Sequence, residues 1–298
     1  MSTPRFGRLI TAMVTPFDHE GNVDYDLAAS VARYLVENGS DGLVVAGSTG
    51  EGGSLSDEEK LSLFRCVAEA VTVPVLAGST SGDTARSVVL SREAASSGVS
   101  GILVTTPAYS RPSQRGIEAH FTAIAAASHL PVMLYDIPAR TGRKVSAATT
   151  IAVARNCPNV LALKDASGDL PSAAQVKQTL GDGFDLYAGD DALVLPFFSI
   201  GATGLVSVAS HWAGPQYAAL ISAVDRNDWS LARVINDSLA PSCQFEGNEM
   251  YPNPQPAKAA LRLLGMAVGQ CRAPLGASDA ALDNQAAEVL TGLHVARG

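Results

Sequence analysis

Charge is scarce in this 298-residue chain: Asp, Glu, Lys and Arg make up 17% of it, against roughly 25% in an average globular domain. Only five residues are Lys. The formal net charge of −8 leaves no basic excess to neutralise phosphates, which excludes nucleic acid as a main partner. Cys66, Cys157, Cys243 and Cys271 are far apart with no Cys-x-x-Cys pair, so free thiols and a cytoplasmic location are expected. His19, His120, His129, His211 and His294 show no ligand spacing, and no metal site is expected. Walker A, a Gly-x-Gly-x-x-Gly after a strand and Gly-x-Ser-x-Gly are all missing, which argues against those nucleotide-binding and hydrolase designs. Residues 1–10 carry Arg5 and Arg8 without an apolar core, so no secretory signal is expected.

Apolar residues, by contrast, make up 47%, which excludes disorder. Residues 192–224 contain no charged side chain and are long enough to suggest a membrane span. Pro196, Gly201, Gly204, His211 and Pro215 break that stretch; it reads as buried helix, strand and turn, with no membrane partner.

Eight short apolar runs recur, at 9–14, 42–46, 73–77, 101–105, 131–135, 160–164, 184–188 and 203–208. They are too continuous for half-exposed antiparallel strands and suit parallel strands covered on both faces. Helical segments lie between them. Ser56-Asp57-Glu58-Glu59 has a capping-box pattern at the start of 56–71, and 83–97 and 113–128 carry apolar residues at three- and four-residue steps. Asn38-Gly39 and Ser97-Gly98 read as helix ends. The alternation predicts an α/β fold, a TIM (β/α)8 barrel over residues 1–227 with a C-terminal helical extension over 228–298; an open doubly wound sheet is the alternative. Extra helices are expected at 229–239, 255–266 and 278–295, with Pro241, Pro252, Pro254 and Pro256 marking a connector.

Four of the lysines, Lys60, Lys144, Lys177 and Lys258, sit in polar or turn contexts. Lys164 ends the run Val160-Leu161-Ala162-Leu163-Lys164-Asp165. Alternation puts Val160, Ala162 and Lys164 on the barrel side, with Lys164 at the C-terminal mouth where barrel enzymes react. A desolvated amine there can form a Schiff base with a ketone; the competing reading pairs it with Asp165 or a loop carboxylate. Gly47-Ser48-Thr49-Gly50-Glu51 is either a small-anion loop with two hydroxyls or an ordinary strand-to-helix turn. Met133 and Tyr135 share a strand face, so the Tyr135 phenol can reach the mouth and move a proton, or simply fill the core. Arg140 has the donor geometry to hold a carboxylate, or is a solvated loop residue. Tyr109 can project from its turn onto a partner. Asp190 reads as a helix cap.

Taken together, Thr11-Ala12-Met13-Val14-Thr15-Pro16-Phe17, Gly47-Ser48-Thr49-Gly50-Glu51, Tyr135 with Ile137-Pro138, and Leu163-Lys164-Asp165 resemble the dihydrodipicolinate synthase / N-acetylneuraminate lyase family of pyruvate-dependent class I aldolases. The resemblance runs from about residue 8 to about 275. It implies that Lys164 forms the Schiff base with pyruvate and that no other cofactor is needed. It also implies that Tyr135 and Ser48 relay protons and that Thr49 helps hold the pyruvate carboxylate. Gly189 and Val206 match backbone contacts to pyruvate. Tyr109 matches a residue that enters a neighbouring subunit's site, which implies a homodimer or homotetramer.

Arg140-Thr141-Gly142 and Asn253-Pro254 resemble the synthase branch, which condenses pyruvate with L-aspartate 4-semialdehyde in lysine and diaminopimelate biosynthesis. N-acetylneuraminate lyases and 2-keto-3-deoxy-sugar-acid aldolases or dehydratases are the alternative. A non-catalytic keto-acid sensor is a third reading. Gly52, Gly53, Asp57, Lys60, Gly82, Arg86 and Ala108 replace the polar, His, Glu or Tyr residues of lysine-sensitive members, so feedback by lysine is expected to be weak or absent.

Overall fold

A computed structural model describes residues 4–293. The end of the expected helix 278–295 and His294 lie outside the described residues. Eight strands, β1 (Leu9–Ala12), β2 (Gly42–Val45), β3 (Val75–Gly78), β4 (Gly101–Thr105), β5 (Val132–Asp136), β6 (Val160–Asp165), β7 (Asp185–Ala188) and β8 (Gly204–Ser207), pair in sequence order. Every pair is parallel, and β8 pairs with β1 to close the barrel.

Helices α1 (Tyr25–Glu37), α2 (Asp57–Ala70), α3 (Thr84–Ala94) and α4 (Gln114–Ala125) cross between the early strands. A short α5 (Pro138–Thr141), then α6 (Ala147–Asn156), α7 (Leu170–Leu180), α8 (Val194–Ser199) and α9 (Ser210–Asp225) complete the ring. Three more follow: α10 (Trp229–Phe245), α11 (Gln255–Leu263) and α12 (Ala280–Gly292). The capping box forms at Ser56 and Glu59. Gly39 and Gly98 sit after their helices with φ of +101° and +79°, the left-handed conformation that glycine adopts without penalty.

Strand alternation sorts the apolar side chains into two shells. Leu43, Val45, Val104, Leu134, Leu163 and Leu205 face the helices. Ile10, Val44, Leu76, Leu103, Met133 and Val206 fill the barrel, the layered interior typical of this fold. Phe6 joins that inner set, and the Tyr187 hydroxyl donates to the Gly7 carbonyl at 2.9 Å. The floor of the barrel is thereby packed, and only the C-terminal end is left for a site.

Four details differ from the sequence expectation. Val160 joins the outer shell, because the β5–β6 register shifts after Val132↔Val160 and resumes at Met133↔Ala162. The shift resets the alternation, and Ala162 and Lys164 still face inward. Pro241 lies inside α10 and does not end it. Packing overrides the missing N–H: Ser242 and Phe245 beyond it are buried, with the Trp212 indole donating to Ser242 Oγ at 3.0 Å and meeting the Phe245 ring edge-on at 5.4 Å. The sequence suggests a barrel-closing helix near Pro215–Asn227, whereas α9 starts at Ser210 and carries Pro215 inside it, with a kink at Ala213. Lys60 and Lys258 are buried, contrary to the polar or turn contexts that their sequence surroundings suggest. Residues 192–224 divide into α8, β8 and most of α9. Among the described residues no helix is long and apolar enough to cross a membrane. All four cysteines are free.

Trp212 joins the last barrel helix to the extension. Trp212→Ala should therefore cost about 3–5 kcal/mol of stability, read as a lowered midpoint in urea unfolding; an unchanged midpoint would show that this contact is dispensable.

Candidate active site

Tyr135 and Lys164 are register partners on β5 and β6, so both side chains emerge on the inner face at one level. The Lys164 ammonium lies 4.1 Å from the centre of the Tyr135 ring, and Lys164 is 4% exposed. Its sequence neighbour Asp165 does not pair with it. That carboxylate accepts from the Ser167 backbone N–H at 2.8 Å and from Ser167 Oγ at 2.6 Å. Among the described residues Lys144, Lys177 and Lys258 form ion pairs, and none forms on Lys164. Burial without a paired carboxylate disfavours the charged amine. The Lys164 pKa falls from 10.5 to about 8, chiefly through desolvation; Asp191 and Glu246 pull the other way, and Arg140 adds to the fall.

Burial raises the Tyr135 phenol above its ordinary range, partly offset by the Arg140 charge and by the neighbouring Ser48 side chain. Tyr135 is thus a neutral phenol at physiological pH. Ser48 and Thr49 come from the loop after β2. Thr49 Oγ1 accepts from Asn253 Nδ2 at 2.9 Å, and the Asn253 carbonyl accepts from Arg140 Nη2 at 3.1 Å.

Gly189 follows β7, where an added Cβ would fall 2.9 Å from the Ala166 Cβ and 3.0 Å from Lys164 Cγ. A larger residue there would displace the lysine stem. Val206 lines the inner face from β8. Ala46, Ser48, Thr80, Thr106, Arg140 and Thr141 line a cavity of about 260 Å3 at the mouth. Lys164 is not in that lining; of the lining residues, Ser48 and Arg140 act on the ionisation of Tyr135, and Arg140 on that of Lys164.

The strands and their loops therefore bring together Lys164, Tyr135, Ser48, Thr49, Arg140, Gly189 and Val206. Tyr109 stands apart, 98% exposed at a left-handed φ of +70°. Asp190 caps the turn before α8, accepting from the Ala192 N–H at 3.0 Å. Sequence reasoning missed the acids beside the lysine. Buried Asp191 accepts from the Val208 N–H at 2.8 Å and from the Ser207 hydroxyl. Burial and the neighbouring Asp191 raise the Glu246 carboxyl well above its ordinary range. Lone acids at loop and helix ends carry no pattern that would have singled them out. The reach of Asn253 to Thr49 was likewise invisible, because 204 residues separate them. Among the described residues no group of three or more His, Cys, Asp or Glu is placed to hold a metal ion.

A pKa of about 8 gives a sign to the pH response. The neutral, nucleophilic fraction of Lys164 grows as pH rises through that value. The initial rate of borohydride-trapped adduct formation with a ketone should therefore rise with a midpoint near pH 8. A midpoint near 10.5, the ordinary value, would mean that the amine is solvated.

The chain matches the Dihydrodipicolinate synthetase family over residues 5–292. It is 44% identical over 297 residues to a 4-hydroxy-tetrahydrodipicolinate synthase of Desulforamulus reducens, covering 99% of this chain and 100% of that one. Identity is 48% over 278 residues to the synthase of Synechococcus sp. (strain CC9605), with 92% and 91% covered. A crystal structure of DHDPS from Cyanidioschyzon merolae with lysine bound superposes with a TM-score of 0.95 at 43% identity, covering 98% of this chain and 99% of that chain. With the barrel, the buried lysine and the full-length match all in agreement, this chain belongs to the dihydrodipicolinate synthase family.

Proposed function

We propose that this chain catalyses the 4-hydroxy-tetrahydrodipicolinate synthase reaction, the Schiff-base condensation of pyruvate with L-aspartate 4-semialdehyde that feeds lysine and diaminopimelate biosynthesis. The observation that carries the reading is Lys164: buried, unpaired, facing the barrel axis and stacked on Tyr135. The full-length similarity to synthases and Arg140 at the mouth favour this reaction over sugar-acid cleavage.

The neutral Lys164 amine attacks the pyruvate ketone carbon. Tyr135, relayed through Ser48, protonates the departing hydroxyl, and water leaves an iminium. That electron sink lets the pyruvate methyl group lose a proton back to the relay, giving an enamine. The enamine carbon bonds to the aldehyde carbon, and the resulting alkoxide takes a proton. The amino group of the second substrate then attacks the iminium carbon, closes the ring and expels Lys164 as a free amine. No redox change occurs, and the covalent Schiff base replaces any bound cofactor. Thr49, with the backbone of Gly189 and Val206, holds the keto acid, and Arg140 holds the carboxylate of the aldehyde.

Tyr109, an exposed aromatic on a strained turn, serves the relay of a second copy, so the working form is a homodimer or homotetramer. Four unpaired thiols suit a cytoplasmic setting.

In a coupled assay, pyruvate with aspartate semialdehyde should turn over, and a panel of sugar-acid substrates should not; the reverse pattern would sink the assignment. Arg140→Ala should cut kcat/KM for the aldehyde by about 100-fold or more, the loss of a bidentate carboxylate contact, while pyruvate adduct formation on Lys164 persists. Arg86 already holds Asp57 in two hydrogen bonds of 2.9 and 3.0 Å and places positive charge where lysine-sensitive members have an acid. Lysine should therefore not inhibit at submillimolar concentration.

A further inference from the structure

The loop that carries Ser48 and Thr49 is folded tightly on itself. An added Cβ on Gly52 would fall 2.0 Å from the Ala46 carbonyl oxygen, and one on Gly50 would fall 2.9 Å from both the Ala46 nitrogen and the Met13 carbonyl oxygen. Between these glycines stands Glu51, at a φ of +53°, a left-handed conformation that side chains disfavour. Its carboxylate is fully buried and lies 2.7 Å from Lys258 Nζ, which is buried to the same degree. It also accepts the Arg272 backbone N–H at 2.8 Å. Lys258 donates to the Gln270 carbonyl at 3.0 Å and sits 4.1 Å from the centre of the Phe17 ring. The Arg272 side chain clamps the same region, donating to Ser54 O at 2.9 Å and to both oxygens of Glu59 at 2.9 and 2.6 Å.

Both partners of the Glu51 carboxylate come from beyond α10. Asn253, five residues before Lys258, supplies the donor to Thr49. The C-terminal segment therefore grips the loop at Thr49 and again at Glu51, on the far side of Gly50. Slack at either point would shift the Ser48 hydroxyl relative to the Tyr135 phenol, and misplacements near 1 Å are enough to cost about 100-fold in rate.

We propose that Glu51 and Lys258 are positioning residues: their buried ion pair lets the C-terminal segment hold the Ser48 and Thr49 hydroxyls against Tyr135, and so sets the rate at which the pyruvate methyl proton moves. The inference rests on the roles given above to Lys164, Tyr135, Ser48 and Thr49. It separates this pair from a merely structural one, because a structural pair would affect stability and leave proton transfer intact.

The test uses full-length Glu51→Gln, Lys258→Met and the double variant. Three quantities are read: deuterium exchange into the pyruvate methyl group in D2O without aldehyde, borohydride-trapped adduct at saturating pyruvate by intact mass, and urea unfolding. Each variant should slow exchange by about 10- to 100-fold while trapped adduct stays within about twofold of the unaltered protein. Removing both charges should recover stability relative to Lys258→Met, since an unpaired buried carboxylate is worse than a neutral pair, yet should leave exchange slow. The double variant also keeps the test valid if Lys258→Met does not fold. Recovery of both stability and exchange in the double variant would overturn the proposal, as would unchanged exchange in a folded single variant. Absence of adduct in the unaltered protein would overturn the Lys164 reading itself, and this inference with it.

Discussion

Taking a lysine ammonium out of water is costly unless a carboxylate goes with it, and two of the buried lysines differ in whether one does. Lys258 is buried with Glu51 at 2.7 Å, whose charge opposes the desolvation that lowers the amine's pKa. Lys164 is buried against a phenol ring, with its adjacent carboxylate, Asp165, turned away to Ser167. Burial lowers both amines, but only Lys258 has a carboxylate at ion-pair distance to oppose it. The difference lies in where the nearest acids point, not in how deep either lysine sits.

The acids near Lys164 set how far that poise goes. Asp191 is committed to the Ser207 hydroxyl and the Val208 N–H, and burial beside Asp191 raises the Glu246 carboxyl. Asp191, and Glu246 where it is ionised, oppose the desolvation of Lys164 and hold its pKa at about 8. A free carboxylate in the same place would restore the ammonium and end its nucleophilicity.

The barrel and the inward direction of Lys164 were legible because both rest on local periodicity. Runs such as Gly101–Thr105 are apolar on both faces, which only a covered parallel strand explains. The reading survived an error of detail: Val160 faces out, yet the register shift lies before Ala162, so the end of the strand keeps its direction. Pro241 misled because helix termination by proline is a propensity, and the packing of Ser242 and Phe245 against Trp212 outweighs it. Lys258 misled for a deeper reason. Its burial depends on Glu51, 207 positions earlier, and no local pattern announces a pair that only the closed fold creates. The links from Asn253 to Thr49 and to Arg140 belong to the same class. The dipeptide Asn253-Pro254 is plain in the sequence, but the reach of the Asn253 side chain to Thr49 is not.

Those long-range links also explain why a barrel with this mouth carries an extension at all. A (β/α)8 barrel presents its reactive groups on loops, and loops are the least rigid part of a fold. Ser48 and Thr49 sit on such a loop, and Arg140 sits on another. Asn253 touches both, through its amide to Thr49 and its carbonyl to Arg140. The groups assigned to the keto acid and to the aldehyde are therefore referenced to one residue outside the barrel, which couples their spacing. Orientation of reacting partners is a large contributor to rate in general. A segment that ties these two loops together acts on their spacing directly, without touching the Lys164 amine.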